Sequence, residues 1–290
     1  NLISSSISDE FKFSSDNFIG GGCRNSISSY YSNDSNTIVG GNSNSISAYT
    51  VSNAFIGGGR SNCVGGYSSI IVGGFLNEIC ENKPYSFIGG GRINIVNGSY
   101  SSIVGGSCHN ITGNCSFIGG GCKNKASDNI SSIVGGIYNT SSGGGFIGGG
   151  CNNHAAGNYS IIVGGISNTA SSSCSFIGGG SLNSTIGSTK DFIGGGFCNI
   201  ICTFSDYYSC NNTIVGGSCN IISSSLSDYY KYSAHNFIGG GHSNSISVYY
   251  DNTYNFIGGG GCNSISAYDV GNAFIGGGLR NCVGGYNSTI

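Results

Sequence analysis

Apolar residues along this chain do not recur at helical spacing. They come as short islands, one or two residues wide, set between glycines and small polar residues. The islands belong to an eight-residue unit, x-Ile-(Gly/Val)-Gly-Gly-x-x-Asn. Complete copies start at 18, 37, 55, 70, 87, 102, 117, 132, 146, 161, 176, 192, 213, 237, 256 and 274. Position two is Ile and positions four and five are Gly in all sixteen, and position eight is Asn in all but one, where His109 stands. Two residues after position eight comes Ile, Val or Ala, except at Ser141 and Thr185. Copies follow one another every 14–24 residues, most often 15. That period is too short for a helical repeat and suits one coil of a β-solenoid, two short strands joined by two turns.

The pattern therefore predicts an all-β, parallel β-solenoid of about 15–17 residues per coil, with coils stacked at the strand spacing of about 4.8 Å. The Ile row and the apolar row after Asn would fill the core. Positions four and five would form a corner needing positive φ or close backbone approach, so Gly149→Val is expected to be harmful. The Asn residues, Asn25, Asn44, Asn62, Asn77, Asn94, Asn124, Asn139, Asn153, Asn168, Asn183, Asn199, Asn220, Asn244, Asn263 and Asn281, would stack as a ladder of amides. The plainer alternative is that Asn only tolerates a left-handed turn. Where position one is Phe, position three is Gly; where it is Thr, Ser or Ile, position three is Val. Such a volume exchange predicts a packed face opposite the core, and a thin coil apolar on both faces wants partner chains.

Residues 1–71 match residues 220–290 at a constant offset of 219, with 48 identities in 71. The match predicts that residues 1–290 are one continuous solenoid array, a fragment of a longer protein with a 219-residue super-repeat. An alternative is a single-chain solenoid with two octets, about 30 residues, per coil; the thirteen octets of the super-repeat, an odd number, favour one. Composition narrows the picture further. With 55 Gly, one Pro, only 8% charged residues and a net charge of −2, the chain lacks the basic stripe of a nucleic-acid binder. No apolar run is long enough for a membrane span.

The stretch "GNYSIIVGGISNTASSSCSFIGGGSLN" (157–183) resembles the head repeats of YadA-like trimeric autotransporter adhesins, and similar repeats occur in phage and giant-virus fibre proteins. The shared order is Ser-x-Ile-x-Gly-Gly-x-x-Asn-x-Ala. The resemblance implies a left-handed parallel β-roll, three chains packed side by side, and a role in surface attachment.

Chemistry-bearing residues are sparse. The glycine runs lack the Lys-Ser/Thr and the strand–helix setting of a phosphate loop. The four His and the Cys residues form no spaced metal set, and the 12 acidic residues form no recurring pair for glycoside hydrolysis. No catalytic residue, metal or cofactor is expected. Cys198 and Cys219 fall at position seven of consecutive octets, within disulfide range if coils stack; the alternative is free thiols used as small apolar fillers. Asn-x-Ser/Thr sequons at Asn33, Asn97, Asn110, Asn114, Asn129, Asn139, Asn158, Asn183, Asn211 and Asn287 are candidate glycosylation sites. Long connectors carry Tyr207, Tyr208, Tyr229, Tyr230, Tyr249 and Tyr250, which would contact a ligand or a neighbouring chain. The expected function is a non-enzymatic structural fibre or filament of an extracellular or virion-surface appendage, self-assembling and adhesive toward cell-surface glycans or a receptor. A polysaccharide- or ice-binding solenoid module is the alternative.

Overall fold

The computed structural model describes residues 1–5, 15–187, 189–203, 211–224, 232–248, 251–267 and 270–290. The described residues form strands, turns and bends with no helix, and every strand pairing among them is parallel. The architecture is a β-solenoid. Two compact units make up the chain, Asn1–Ser141 and Ser142–Ile290.

In the first unit, octet positions one and two form two-residue strands, from Phe18–Ile19 to Ser132–Ile133. Each pairs with the next octet in strict register: Ile19 with Ile38, Ile38 with Ile56, Ile56 with Ile71. Consecutive octets are thus direct neighbours, and a coil holds one octet. The residues after Asn build the second sheet, in which Ile27, Ile46, Val64 and Ile79 pair in turn. Both rows point inward and are fully buried, apart from Ile19 and, in register with Ile27, Ile3 at the start of the chain. The two exceptions in the second row, Ser141 and Thr185, are buried as well; Thr185 keeps its hydroxyl satisfied by donating to Ser175 Oγ at 3.0 Å.

The second unit repeats the plan from Phe146–Ile147 and His154–Ala155 to Phe274–Ile275 and Cys282–Val283. Its longer coils add a third, small parallel sheet from Tyr232–Ala234, Asp251–Thr253 and Val270–Gly271.

The corner differs from the expectation in one respect. Position five is the demanding glycine: φ runs from 81° to 98° in all sixteen octets. A Cβ on Gly150 would lie 2.1 Å from the Gly165 carbonyl oxygen and 2.7 Å from Asn153 Nδ2. At Gly149, position four, a Cβ would meet nothing within 4 Å. Gly149 is therefore not the residue that fixes the corner, because the close approach between coils falls one residue later.

Candidate functional surfaces

The Asn column is the most regular side-chain feature. Asn168 illustrates it. Its Oδ1 accepts the Asn183 backbone N–H at 3.0 Å. Its Nδ2 donates to the Gly164 carbonyl of its own coil at 3.0 Å and to the Gly180 carbonyl of the next at 3.0 Å. The same set recurs at Asn44, Asn62, Asn199 and Asn220, among others. The ladder is thus mainly side chain to backbone, with direct amide–amide bonds at some steps, such as Asn62 Nδ2 to Asn44 Oδ1 at 3.1 Å. The buried polar groups of the corner, two glycine carbonyls and an amide, are what Asn satisfies. The left-handed turn is made by the residue before it: position seven has φ of 54–58° in every octet, whatever its side chain.

His109 takes the Asn place in one coil. Its Nδ1 accepts the Asn124 N–H at 3.1 Å, which assigns the proton to Nε2. Nε2 is buried without a hydrogen bond, where Asn would donate twice. Burial holds the His109 pKa below its usual value, against the opposing effect of the Gly121 and Asn124 backbone.

A second column lines the other corner, one residue before each octet, and nothing in the octet announces it. In short coils it is Ser, apart from Gly145 and the buried Asp191: Ser101 Oγ donates to the Gly113 carbonyl at 3.0 Å and accepts the Ser116 N–H at 3.1 Å. In long coils it is Asn: Asn212 Oδ1 accepts both the N–H and Nδ2 of Asn236, and Asn236 Oδ1 those of Asn255. Its sequence signal was present, since Ser or Asn recurs before the octet, but the position lies outside the invariant block.

Positions one and three face outward. Val39, Val104 and Val134 are each about half exposed (50%, 52% and 51%), and Phe18, Phe117, Phe146 and Phe192 are exposed too. Consecutive Phe rings stack: Phe176 on Phe192 at 5.2 Å, Phe237 on Phe256 and Phe256 on Phe274 at 5.0 Å. Each unit therefore carries an apolar ribbon along its octet sheet that the described residues leave exposed. The Phe–Gly rule also has a cause beyond volume. A Cβ on Gly89 would lie 2.3 Å from the Val104 carbonyl oxygen and 3.2 Å from the Phe87 ring.

Sequence-predicted sites separate by burial. Sequon residues Asn97, Asn114, Asn129, Asn158, Asn211 and Asn287 are exposed, and Asn110 is half-buried. Asn139 and Asn183 are fully buried members of the Asn column, so a glycan on either is incompatible with the folded coil. Asn33 lies in the strand Ser26–Asp34. Tyr207, Tyr208, Tyr229, Tyr230, Tyr249 and Tyr250 lie outside the described residues.

Thirteen cysteines are described, all unpaired thiols. Burial, then the Glu78 carboxylate, pushes the Cys80 thiol up to about 11, and the same two causes raise Cys63. Neither is a thiolate nucleophile at neutral pH. Among the described residues no group of His, Cys, Asp and Glu is arranged to hold a metal ion, and no helix is long and apolar enough to cross a membrane.

The chain matches no model of a known protein family, and no curated protein is similar to it.

Proposed function

We propose that this protein is a non-enzymatic structural element of a fibre or filament, part of an extracellular or virion-surface appendage, and that it assembles with further copies of itself as a homotrimer. The observation that carries this reading is the exposed ribbon of Phe and Val along each unit's octet sheet. An apolar strip this regular is costly to leave in water, and a side-by-side copy would cover it with the same strip. Adhesion to surface glycans or a receptor would then fall to the connectors, and glycans would sit on the exposed sequons.

The test is the mass of the native particle in solution, with Val104→Lys and Val134→Lys as probes. A trimer that these changes dissociate, with the strand signature of circular dichroism retained, is the expected result. A monomer at micromolar concentration in the unsubstituted protein would contradict the reading.

One observation favours a second reading, binding of a polysaccharide. Ser4, Ser28 and Ser47 stand in register on three neighbouring strands, as do Ser223, Ser247 and Ser266, with Ser223 Oγ and Ser247 Oγ 3.1 Å apart. The first row borders a shallow groove that Tyr49 and Glu81 also line. Binding of soluble glycans to the isolated monomer, lost in Ser28→Val, would support this reading over the first.

A further inference from the structure

We propose that Cys198 and Cys219 are a redox-controlled staple, joining in an intramolecular disulfide that closes one complete coil of the solenoid into a covalent ring. The geometry comes from register. Phe197 and Ser218 pair in a parallel bridge, so the residues that follow them, Cys198 and Cys219, stand one above the other. Both occupy position seven with nearly the same backbone conformation, φ 55° and 54°. Their amides are held by equivalent bonds one coil apart, Cys198 N–H to the Ser181 carbonyl and Cys219 N–H to the Phe197 carbonyl, each 2.9 Å. One coil rise of about 4.8 Å lies within the Cα separation that a disulfide spans. The Cys219 thiol is near enough to act on that of Cys198, and both side chains are partly exposed and open to a reagent.

No other described cysteine has this arrangement. Cys108 has Lys123 above it at position seven, and Cys262 stands between Ser243 and Arg280. Cys63 pairs with Glu78, Cys202 with Ser223, and Cys282 with Ser264. Composition offers many cysteines; register selects one pair.

The oxidant is a small-molecule disulfide such as oxidised glutathione. The thiolate of one cysteine attacks it, forming a mixed disulfide and releasing one glutathione thiolate. The second cysteine's thiolate attacks the protein sulfur of that adduct and expels the other glutathione. Two protein S–H bonds are lost, one S–S bond forms, and one glutathione disulfide is reduced to two thiols. The Cys198 thiol is raised above its ordinary pKa by burial and by Cys219, so ring closure accelerates as pH rises toward the thiol range. The ring spans the coil in which the connector lengthens, from Phe192 to Thr213, where the spacing between octets first exceeds 19 residues. A cross-link there holds the enlarged coil against opening.

The test uses the whole chain, equilibrated in buffers of graded reduced and oxidised glutathione, quenched in acid and digested without reduction. The expected result is one peptide pair containing Cys198 and Cys219, both thiols disappearing together. Proteolytic opening of that coil should slow by roughly tenfold or more, the size expected for a cross-link closing a loop this short. Cys198→Ser and Cys219→Ser should each abolish the slowing, and Cys262→Ser should not. Separate glutathione adducts on Cys198 and Cys219, or a disulfide from either to a third cysteine or to another chain, would overturn the proposal. That readout comes from the unsubstituted protein, so it stands even if a variant fails to fold.

Discussion

Short and long coils of the same chain solve the same packing problem differently. In the run of octets from 87 to 132, coils advance by 15 residues, and the strand after Asn is two residues long, as at Ile95–Val96 and Lys125–Ala126. Around Thr37 and again from Thr213 to Phe256 the spacing rises to 18–24 residues, and that strand grows, to Ser26–Asp34 and Ser45–Ser52 in the first unit. Across this change the first corner is constant: Gly at position five, a left-handed residue at seven, and Asn at eight everywhere but His109. The second corner is not. Its cap is Ser in the short coils, apart from Gly145 and Asp191, and Asn, or Ala under an Asn, in the long ones. A wider section places the next acceptor and donor farther from the backbone, and Asn reaches where Ser does not. Asn36 Nδ2, for example, donates to the Val51 carbonyl at 3.0 Å, while Ser86 Oγ donates to the Gly98 carbonyl at 3.0 Å. Sequence invariance therefore marks geometric invariance, and the variable corner is where length is absorbed.

The largest effects are expected at the constant corner. Asn168→Asp puts a carboxylate against two glycine carbonyls in a buried site, and should cost several kcal/mol in denaturant unfolding. Asn168→Ala removes the side-chain donor to the Gly164 carbonyl and the acceptor of the Asn183 N–H, and leaves the Gly180 carbonyl only the Ile166 N–H, so it should cost about 2–3 kcal/mol.

Neighbouring glycines come next. Gly150→Ala should lower stability by about 1–3 kcal/mol, from its left-handed φ and the clash with Gly165. Gly149→Ala, facing open space, should stay within about 0.5 kcal/mol of the parent. Equal melting temperatures for the two would show that the corner has been placed one residue wrong.

Exchanging the caps tests the variable corner. Ser101→Asn overfills a short coil and Asn236→Ser underfills a long one, so each should destabilise by about 1–2 kcal/mol. If either swap is neutral, cap identity does not follow coil width.

His109→Asn should restore the interrupted column and raise stability by about 1 kcal/mol. It should also remove a pH dependence. The folded-state pKa of His109 lies below its ordinary 6.5, so below that pH the unfolded chain binds a proton that the folded chain refuses. The stability associated with neutral His109 is fully present above 6.5 and is lost as pH falls below it. Melting curves on either side of that pH should converge in the Asn variant.

The smallest effect is at Ile93, a β-branched residue at φ 56°. Ile93→Asn should stabilise by about 1 kcal/mol, since Asn accepts the left-handed region more readily.

These positions also mark how far the sequence could be read. The Ile rows, the one-octet coil and the Asn column follow from strict recurrence, because each octet repeats one environment. The left-handed residue at position seven does not, since Arg24, Leu76, Ile93 and Tyr138 share its conformation without sharing chemistry. Hydrogen bonds to the neighbouring coil impose it, as in Ile93 N–H to the Phe75 carbonyl at 2.9 Å. A second left-handed residue stands two places before each octet, and at Ile130 its N–H is held in the same way by the Asn114 carbonyl at 2.9 Å. The Ser/Asn caps were hidden by variation that tracks connector length. The Phe/Val face was legible as apolar; its exposure in the single chain was not, because residue type does not say whether a cover comes from the same chain.

Consecutive octets are joined through the Asn side chain of the first corner. Scalar coupling across the hydrogen bond, between the backbone ¹⁵N of Asn183 and the side-chain ¹³Cγ of Asn168, reports that bond directly in a deuterated, ¹⁵N,¹³C-labelled sample. This coupling is expected, with its counterpart from Asn199 to Asn183. Coupling of the Asn183 amide to Asn153, two octets away, or to a backbone carbonyl instead, would contradict it.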